Sequence, residues 1–412
     1  SESLFESEKM YGDTNALFID IDNDNDMDLY VTSGGYEIPE NSALLQDRLY
    51  VNDGKGRFEK SNVLPRMYSN TKAVSSADYD NDGDMDIFVG GRVKHGKYPI
   101  SDTSYMLENQ NGTFKDVSNT KMSAISELKM VNDAIFTDYD NDGDSDLIIV
   151  GEWMPITVFE NDHYNFKKQT LSELQDVNGW YQTIKEVDLD GDGFLDYIVG
   201  NWGENNKFRP SKEKLLHIYA DDFDNNSSLD IILSKVSKTG ALIPVRGKQC
   251  SSEQNSFLNS KITTFKGFAS SNIIEIYGED RLKNATHFSV SNFESIILKN
   301  NGNGGFKIKT LPKHAQFSPT LGLETHDINN DGYLDIFGVG NVFNAEVETI
   351  RYDASKNYVL LGDKNNEYTF THDTSYFSDH ESKAIKKIMI NNDPHFIIIT
   401  KNKPLTILKL RK

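Results

Sequence analysis

The chain has 412 residues, with 43 Lys and Arg against 63 Asp and Glu, and its net charge is −20 at pH 7. This charge disfavours nucleic acid as a partner, because binding to phosphates needs clustered Lys and Arg. Cys250 is the only cysteine, which excludes a disulfide within the chain. No apolar run reaches the ~18 residues of a membrane span. No signal-like segment stands at the start, so we expect either that a signal was removed or that this is part of a larger polypeptide.

The first residues, 1–10, contain the strand-like stretch Leu4-Phe-Glu-Ser-Glu-Lys. It is similar to the sequence Phe58-Glu-Lys, which we interpret below as an outer strand. We therefore predict that residues 1–10 pair with the last apolar segments, 384–412, and complete their sheet.

Acidic residues then alternate at a fixed spacing between short apolar runs. The first such loop is Asp20-Ile-Asp-Asn-Asp-Asn-Asp-Met-Asp28, and similar loops begin at residues 78, 138, 188, 222 and 327. Carboxylates packed this closely repel one another. Side chains at loop positions 1, 3, 5 and 9, with the backbone carbonyl of position 7, can converge on calcium, which takes about 6–8 oxygen ligands.

Position 6 must turn sharply, which suits glycine. Asn25 and Ser227 replace that glycine, and Ser makes the Asp222 loop the weakest of the six. We expect about five or six Ca²⁺ ions. The alternative is a set of solvated Asx turns, which the repetition in matching context disfavours. The predicted metal ligands, with position 7 acting through its carbonyl, are Asp20, Asp22, Asp24, Asp26 and Asp28; Asp78, Asp80, Asp82, Asp84 and Asp86; Asp138, Asp140, Asp142, Asp144 and Asp146; Asp188, Asp190, Asp192, Phe194 and Asp196; Asp222, Asp224, Asn226 and Asp230; and Asp327, Asn329, Asp331, Tyr333 and Asp335.

β-Branched and aromatic runs flank each loop and predict a hairpin. A second hairpin with an Asn-Gly turn follows, as in Arg48–Phe58 and Ile296–Phe306. Four strands repeating at about 50 residues are typical of propeller blades. We predict an all-β, seven-bladed β-propeller forming a single domain over 1–412, with six blades as the fallback. The Asp222 loop either belongs to a blade with the strands near Ile296 or is the outer hairpin of blade four.

At this point the chain resembles the FG-GAP or VCBS repeat proteins, whose calcium-loop blades also build the integrin α-subunit head. Four stretches further resemble bacterial VCBS proteins related to cartilage acidic protein: Gly-Gly-Arg92, 151–156, 200–205 and 346–355. The resemblance implies a secreted or surface-displayed propeller, usually without a demonstrated enzymatic activity. Calcium agrees with an extracellular or cell-surface location, because resting cytosol holds too little calcium for weak loops. Association with a bacterial outer membrane is one form of this expectation.

The connections after the second and fourth strands lie opposite the calcium loops, and we call that side the loop face. Binding residues concentrate in loops on a rigid scaffold, and exposed Trp, Tyr and Arg are common interface anchors. The alternative is that the tryptophans cap the core and that Arg351 pairs with Glu346 or Glu348. The candidate partner-binding residues are Arg92, Lys94, Tyr98, Trp153, Trp202, Arg209, Arg351 and Tyr352.

The interval 248–285 interrupts the strand pattern. Apolar residues at 257, 258, 262, 265 and 268 have nearly helical spacing, and Ser-Ser-Glu at 251–253 can start a helix. We predict a helical insertion on the loop face. It could be a partner-binding lid or a helix packed flat over the core.

The sequence shows no His-Glu-x-x-His, Gly-x-Ser-x-Gly or phosphate-binding glycine loop. We therefore predict no enzymatic activity and a binding or assembly module that recognises a protein through its loop face. The alternatives are a glycan-binding propeller and a calcium-dependent polysaccharide lyase or hydrolase that uses Arg92, Lys94, Lys97 or Tyr98.

Overall fold

A computed structural model describes residues 2–345 and 349–410. Within these ranges the chain is almost entirely β, with a few short helices. The strands are β1 (Asp13–Ile19), β2 (Asp28–Ser33), β3 (Arg48–Asn52), β4 (Phe58–Ser61), β5 (Thr71–Ala77), β6 (Asp86–Gly91), β7 (Tyr105–Asn109), β8 (Phe114–Asp116), β9 (Met130–Thr137), β10 (Asp146–Met154), β11 (Thr157–Asn161), β12 (Phe166–Lys168), β13 (Gly179–Trp180), β14 (Thr183–Val187), β15 (Asp196–Gly200), β16 (Leu216–Asp221), β17 (Asp230–Val236), β18 (Leu242–Pro244), β19 (Thr286–Val290), β20 (Ile296–Asn300), β21 (Phe306–Thr310), β22 (Thr320–His326), β23 (Asp335–Gly340), β24 (Tyr358–Gly362), β25 (Tyr368–Phe370), β26 (Ser382–Ile390), β27 (Asp393–Thr400) and β28 (Thr406–Lys409).

The α-helices are α1 (Glu2–Ser7), α2 (Ser118–Lys121), α3 (Lys248–Gln254), α4 (Leu258–Lys261), α5 (Phe265–Ser270), α6 (Ile273–Tyr277) and α7 (Glu279–Asn284). Four short 3₁₀ helices cover Ala43–Leu45, Ser123–Glu127, Lys313–Gln316 and Thr374–Tyr376. Five of the α-helices therefore lie within the interval 248–285, which the sequence predicted to be helical.

The strands form antiparallel sheets in which sequential strands are usually neighbours. The first sheet is β1–β4, the second is β5–β8, and the third is β9–β12 with β13 added beside β10. The fourth is β14, β15, β20 and β21, the fifth is β22–β25, and the sixth is β26–β28. The first strands of consecutive sheets contact one another, so the six sheets follow one another face to face.

A separate apolar cluster fills each space between consecutive sheets. This packing explains the runs of apolar residues in the second strands. Every residue of β6 and of β10 is buried, because both faces of each strand are covered by a neighbouring sheet.

Both alternatives for the Asp222 loop are wrong: it neither shares a sheet with the strands near Ile296 nor forms the outer hairpin of the fourth sheet. Ile296 pairs with Val199 of β15, so these strands complete the fourth sheet. The Asp222 loop instead joins β16 to β17 in a separate sheet of β16–β19, inserted between β15 and β20. We call β16–β19 the inserted sheet. Sequence periodicity missed the interruption because each strand pair looks the same locally.

Apolar side chains pack against both faces of the inserted sheet, but His287 on one face stays exposed. One face packs Leu216, Ile218 and Val290 against Trp153 and Trp180 of the third sheet. The helices α3–α7 cover part of the other face, where Leu258, Phe268 and Ile276 pack against Phe223 and Ile232. The insertion therefore lies on the loop face as a sheet with its own helical layer.

The prediction that residues 1–10 form an outer strand of the last sheet is wrong for the described part. Glu2–Ser7 is a helix. Phe5 packs against Tyr50 and Phe58, at ring-centroid distances of 5.3 and 6.3 Å, so the helix covers the first sheet. The sixth sheet has three strands within the described residues. The position of this segment depends on the packing of Phe5 against the first sheet. The local strand-like pattern contains no information about that contact.

The two end sheets keep apolar side chains exposed on their outward faces. Phe18 of β1 is 63% exposed, and Ile399 and Ile407 of the sixth sheet are 48% and 54% exposed. Ile397 pairs with Ile407 and is two residues from Ile399 on the same strand, so Ile399 and Ile407 lie on the same face of the sheet. Among the described residues, no neighbouring sheet buries these side chains as fully as the inner sheets bury one another's side chains.

Candidate metal sites and the loop face

Each acidic loop connects the first strand of a sheet to the second strand. Two positions in every loop have positive φ: position 6, as predicted, and position 4. The residues at position 4 are Asn23, Asn81, Asn141, Gly191, Asn225 and Asn330. Asn and Gly are the residue types that tolerate this conformation best. The requirement at position 4 was missed, although the recurrence of Asn or Gly there was visible in the sequence.

Backbone N–H groups orient the carboxylate at position 1. In the third loop, Asp138 accepts hydrogen bonds from the N–H of Asp142 and of Gly143, both at 3.1 Å. The second, fifth and sixth loops repeat this pair of bonds at Asp78, Asp222 and Asp327. The loop backbone therefore holds the first carboxylate in place through its own turn.

The position-7 residues differ in side chain, as expected of a ligand that acts through its carbonyl. The carboxylate of Asp84 accepts bonds from Asn23 Nδ2 at 2.8 Å and from the N–H of Asn111 at 2.6 Å. It thus joins the first sheet's loop to the second sheet. In the fourth and sixth loops the equivalent residues are Phe194 and Tyr333, whose N–H groups donate to the position-5 aspartates.

The carboxylate at position 9 connects the two hairpins of its sheet. Asp86 is fully buried, and it accepts the N–H of Tyr79 at 3.3 Å and the N–H of Asn109 at 2.8 Å. Asp28, Asp146, Asp196 and Asp335 make the same pair of bonds, the last with Gly362 in place of Asn. Position 9 is therefore a structural bridge as well as a candidate ligand.

A buried Asn at the end of the third strand extends this connection to the preceding sheet. The Nδ2 group of Asn109 donates to the carbonyl of Ile21 at 2.9 Å, and Asn161 donates to Tyr79 at 2.8 Å. Asn300 donates to the carbonyl of Tyr139 at 2.7 Å. Each acceptor is position 2 of the preceding acidic loop, so neighbouring loops are mechanically linked. Sequence reasoning missed this role of the repeated Asn.

Five of the six loops bring carboxylate oxygens together within 4.8 Å of one another. The groups are Asp20, Asp22 and Asp28; Asp78, Asp80 and Asp86; Asp138, Asp140, Asp142 and Asp146; Asp188, Asp190 and Asp192; and Asp222, Asp224 and Asp230. These clusters could hold a metal ion.

Unpaired buried oxygens test whether a cation fits these clusters. The Oδ1 atoms of Asp20, Asp26, Asp80, Asp140 and Asp224 are buried and have no hydrogen-bond partner. A buried carboxylate oxygen without a partner is costly. A hard cation such as calcium, which binds carboxylate oxygens, would satisfy them. The residues present therefore fit a calcium ion in the first, second, third and fifth loops.

Burial raises the pKa of the position-9 carboxyls. Desolvation raises the pKa of Asp86 to about 8 and that of Asp146 to about 7, although backbone N–H donors partly oppose the shift. The pKa values of Asp230 and Asp335 are raised to about 6 for the same reason. A bound cation would favour the ionised form of each group.

The fourth loop already contains a cation from the protein itself. Lys299 Nζ lies 2.6 Å from Asp190 Oδ1, 3.0 Å from Asp192 Oδ2 and 3.2 Å from Asp196 Oδ2. The residue before the third-strand Asn is Glu108 in the second sheet and Glu160 in the third. The negative charges of Glu108 and Glu160 raise the pKa values of Asp80 and Asp140, after the larger effects of burial and of Asp82 and Asp142. The residue before the third-strand Asn is therefore acidic beside the second and third loops and basic beside the fourth loop.

The sixth loop differs from the others. Asn329 occupies position 3, and its Nδ2 donates to Asp331 Oδ2 at 2.8 Å. Within the described residues, Asp327, Asp331 and Asp335 do not form a cluster at the 4.8 Å separation of the other five loops. The amide removes one negative charge from this loop.

The structure places the predicted partner-binding residues in different environments. Trp153 and Tyr352 are 3% and 6% exposed, so the expectation that they are exposed anchors is wrong. Trp153 Nε1 donates to the hydroxyl of Tyr98 at 2.7 Å. Trp153 packs in the apolar layer beneath the inserted sheet, and Trp202 packs edge-on against Tyr352 at 5.0 Å. The insertion covers this part of the loop face, which the sequence could not show.

The basic candidates are partly engaged. Arg92 pairs with Glu152 at 2.6 Å and is only partly exposed. Lys94 is partly buried, while Arg209 and Arg351 are exposed. The pairing of Arg351 with Glu346 or Glu348 involves residues outside the described ranges, as do positions 346–348 of the motif 346–355.

A large cavity of about 1390 Å³ lies on the loop face beside the fourth sheet. Its walls come from the chain leading into the inserted sheet, from the segment before β20 and from the segment between β21 and β22. Glu204, Arg209, Phe293, Glu294, Lys313 and Phe317 are among its lining residues. Of the predicted partner-binding residues, Arg209 contributes to this cavity.

None of the described helices is long and apolar enough to cross a membrane. No curated protein sequence matches the chain. The crystal structure of the V. cholerae biofilm matrix protein Bap1 aligns with a TM-score of 0.37 and 9% identity, over 96% of this chain and 77% of that chain. Similarity at this level establishes neither a shared fold nor a shared function.

A family model described as FG-GAP-like repeat matches residues 20–89 and 138–199. These ranges include the first four acidic loops, while the Asp222 and Asp327 loops lie outside them. The two matched regions together span less than half of the chain. The chain therefore contains FG-GAP-like repeats in two regions.

Proposed function

We propose that this protein is a calcium-stabilised, non-catalytic binding or assembly module that works outside the cell. The observation that carries the calcium part is the set of buried aspartate oxygens without partners in loops whose carboxylates converge. Extracellular modules bind calcium at about 10⁻⁴–10⁻³ M, a range that suits loops of this kind. The FG-GAP-like repeats support the same conclusion.

The six consecutive sheets are proposed to form a six-bladed propeller, with the inserted sheet outside the ring. Side chains of first strands that are distant in the sheet order influence one another electrostatically. Lys383 of the sixth sheet lowers the pKa of Lys72 of the second, after the larger effects of burial and of closer charges. Lys386 of the sixth sheet lowers the pKa of Asp133 of the third, against the larger effect of burial. Such cross-ring proximity supports a common central axis.

Small-angle X-ray scattering tests the ring. A compact 412-residue chain has an expected radius of gyration of about 22 Å. A clearly larger radius of gyration, with a maximum dimension typical of a row of sheets, would contradict a closed ring.

The binding surface is proposed to be the exposed part of the loop face, around the cavity beside the fourth sheet. Its mixture of carboxylates, basic side chains and phenylalanines suits a protein partner with both charged and apolar groups. Of the stretches that resemble VCBS proteins related to cartilage acidic protein, 200–205 contributes Glu204 and Asn205 to this cavity. Because Trp153 is buried beneath the inserted sheet, we assign the exposed contacts to Arg209 and Phe317.

The absence of catalysis is part of this proposal. Tyr98, a candidate base for a polysaccharide lyase, accepts a hydrogen bond from Trp153, and burial holds its pKa well above the usual range. Lys97 pairs with Glu40 at 2.8 Å. These contacts suit structural roles for the residues on which the lyase alternative depends.

The test is an affinity purification from a native cell envelope with this chain as bait, in calcium and in chelator. We expect a stoichiometric protein partner in calcium that is reduced by the double change Arg209→Glu with Phe317→Ala. A matched control is Arg57→Glu, which lies in an outer turn at the opposite side. Recovery of glycans without protein, or of an unsaturated product from anionic polysaccharides, would overturn the assignment of a non-catalytic protein-binding module.

A further inference from the structure

The inserted sheet carries two histidines that face each other across neighbouring strands. His217 lies on β16 and His287 on the edge strand β19. In the register of these strands, His217 lies opposite Ser289 and His287 lies opposite Tyr219, so the histidines are diagonal neighbours on one face. This face lies outside the acidic loops and outside the cavity described above.

The two rings are arranged end to end. His217 Nδ1 lies 3.0 Å from His287 Nε2. The ring planes differ by 12° and the ring centres are 5.2 Å apart. For facing nitrogens 3.0 Å apart, the two ring centres are almost as far from each other as they can be. The two nitrogens therefore lie nearly on the line between the ring centres. Each nitrogen is therefore directed towards the other ring.

Tyr219 holds His287 in this position. Its ring stacks on that of His287, with centroids 4.4 Å apart and planes 15° apart. Tyr219 is itself partly buried against the apolar cluster formed with the helices of the insertion. The edge histidine is thus supported by a neighbour that is anchored in the core, while the imidazole remains exposed.

We propose that His217 and His287 form a binding site for a borderline transition-metal ion such as Zn²⁺, Ni²⁺ or Cu²⁺. Imidazole nitrogens are suitable ligands for these ions. Two nitrogens bound at about 2.0–2.1 Å in tetrahedral geometry are about 3.3 Å apart. The observed separation of 3.0 Å is only slightly shorter than this value. Each ring must also turn by about 35° from the line between the two nitrogens, so that both lone pairs point at the ion.

The metal would replace the proton that the two rings now share in their hydrogen bond. On binding, the proton of the donor nitrogen moves through solvent to the other nitrogen of the same ring, so that each imidazole stays neutral with its facing nitrogen bound to the ion. Because the site supplies two protein ligands, water or a side chain of another molecule fills the remaining positions. The site differs from the acidic loops in chemistry, since carboxylates suit calcium and imidazoles suit the softer ions.

The consequence for the fold is a cross-link between β16 and the edge strand β19. An edge strand is held by one neighbour and is prone to local opening. A ligand that binds the paired strands but not the opened ones stabilises the paired state. A transition metal is therefore expected to protect β19, and with it the cover over Trp153 and Trp180.

The test uses the full chain in millimolar calcium, which occupies the acidic loops, and Zn²⁺ as the probe. Isothermal titration calorimetry is expected to show one Zn²⁺ bound per chain. His217→Asn and His287→Asn should each remove this binding. His163→Asn is the matched control, because that histidine is 96% exposed and contacts Asp162 rather than another imidazole.

A second variant and a second measurement separate metal binding from folding. Tyr219→Phe retains the stacked ring and should bind Zn²⁺ as the wild type does. In crystals of the wild type soaked with Zn²⁺, an anomalous difference peak is expected between His217 Nδ1 and His287 Nε2. No bound Zn²⁺ in excess calcium, unchanged binding by the two histidine variants, or an anomalous peak only at the acidic loops would each overturn the proposal.

Discussion

Lys299 Nζ contacts Asp190 Oδ1 at 2.6 Å, within the acidic loop that begins at Asp188. The ammonium lies among the same carboxylates that would bind calcium, so the two cations compete. We predict that calcium binds the fourth loop more weakly than the third. A unit charge about 4 Å from a divalent ion costs about 2 kcal/mol even at the dielectric constant of water.

Lys299→Met should therefore lower the free calcium needed to fill the fourth loop by at least about tenfold. Equilibrium dialysis at stepwise calcium concentrations, with ions counted per chain, measures this shift. Lys307→Met is the matched control, because Lys307 pairs with Lys299 in the sheet register but has no contact with the loop carboxylates among the described residues. An unchanged last binding step would contradict the competition.

The third loop offers a direct test of the ligand assignment. Asp140→Asn with Asp142→Asn removes two converging charges while preserving side-chain size, so the chain should bind one calcium ion fewer. Atomic absorption on dialysed protein measures the stoichiometry. Asp144→Asn is the control, because position 7 is predicted to bind through its backbone carbonyl. Loss of the ion in the control, or wild-type stoichiometry in the double variant, would refute the assignment.

The link between neighbouring loops predicts coupled effects of a single substitution. Asn161 is 1% exposed, and its Nδ2 donates to the carbonyl of Tyr79 in the preceding loop. Asn161→Ala leaves that buried carbonyl without this donor, and we expect a loss of about 1–3 kcal/mol in the free energy of unfolding. Urea denaturation in calcium measures the loss.

The same variant should weaken calcium binding to the second and third loops together, because the Asn161 side chain donates to the carbonyl of Tyr79 in the second loop and to that of Ser145 in the third. Asn303→Ala, at an exposed position in the turn after β20, controls for the loss of an amide. If Asn161→Ala altered the third loop alone, the proposed connection between sheets would be wrong.

Lys72 provides a pH-dependent test of the charges near the proposed central axis, which include Arg92 and Lys383. Burial, followed by repulsion from Arg92, lowers its pKa to about 8 from 10.5. Because the folded pKa is lower than the unfolded pKa, the folded state binds fewer protons between these values. The penalty for burying the charged amine is thus fully present below about pH 8 and decreases as the pH rises towards 10.5.

Lys72→Met removes this penalty, so the variant should be more stable relative to wild type at pH 7 than at pH 10. One pKa unit corresponds to about 1.4 kcal/mol. Urea denaturation of both proteins at each pH gives the difference in unfolding free energy. Lys115→Met, at an exposed position, should give a difference that is independent of pH, and a flat profile for Lys72→Met would exclude the depressed pKa.

The exposed face of the sixth sheet tests the closed ring. Ile399 is 48% exposed in the structure. If closure of the ring packs it against the first sheet, Ile399→Lys buries a charge and lowers the thermal midpoint by several degrees. If the face is open to solvent, the change leaves the midpoint nearly unaltered. Asn365→Lys, at an exposed position in the turn between β24 and β25, adds the same charge and controls for the change in net charge. We expect the larger effect, and an unaltered midpoint would favour an open row of sheets.

The acidic loops could be predicted from sequence because their determinants are local. Alternating aspartates, the turn at position 6 and the flanking apolar runs all lie within about a dozen residues, and six copies reduce the chance of coincidence. The same information predicted an all-β chain, paired hairpins and the helical interval. It also contained the Asn or Gly at position 4, whose conformational role became clear only from the backbone.

Long-range packing decided the remaining features. Lys299 reaches a loop carboxylate 107 residues away in sequence, and no local pattern indicates that contact. The inserted sheet divides the fourth sheet in sequence, yet β20 pairs with β15 and both strands contribute side chains to one apolar cluster. The inserted sheet also covers Trp153, which the sequence had suggested as an exposed interface anchor. The sequence determined the chemistry of each loop, whereas the burial of distant strands against one another determined which charges meet.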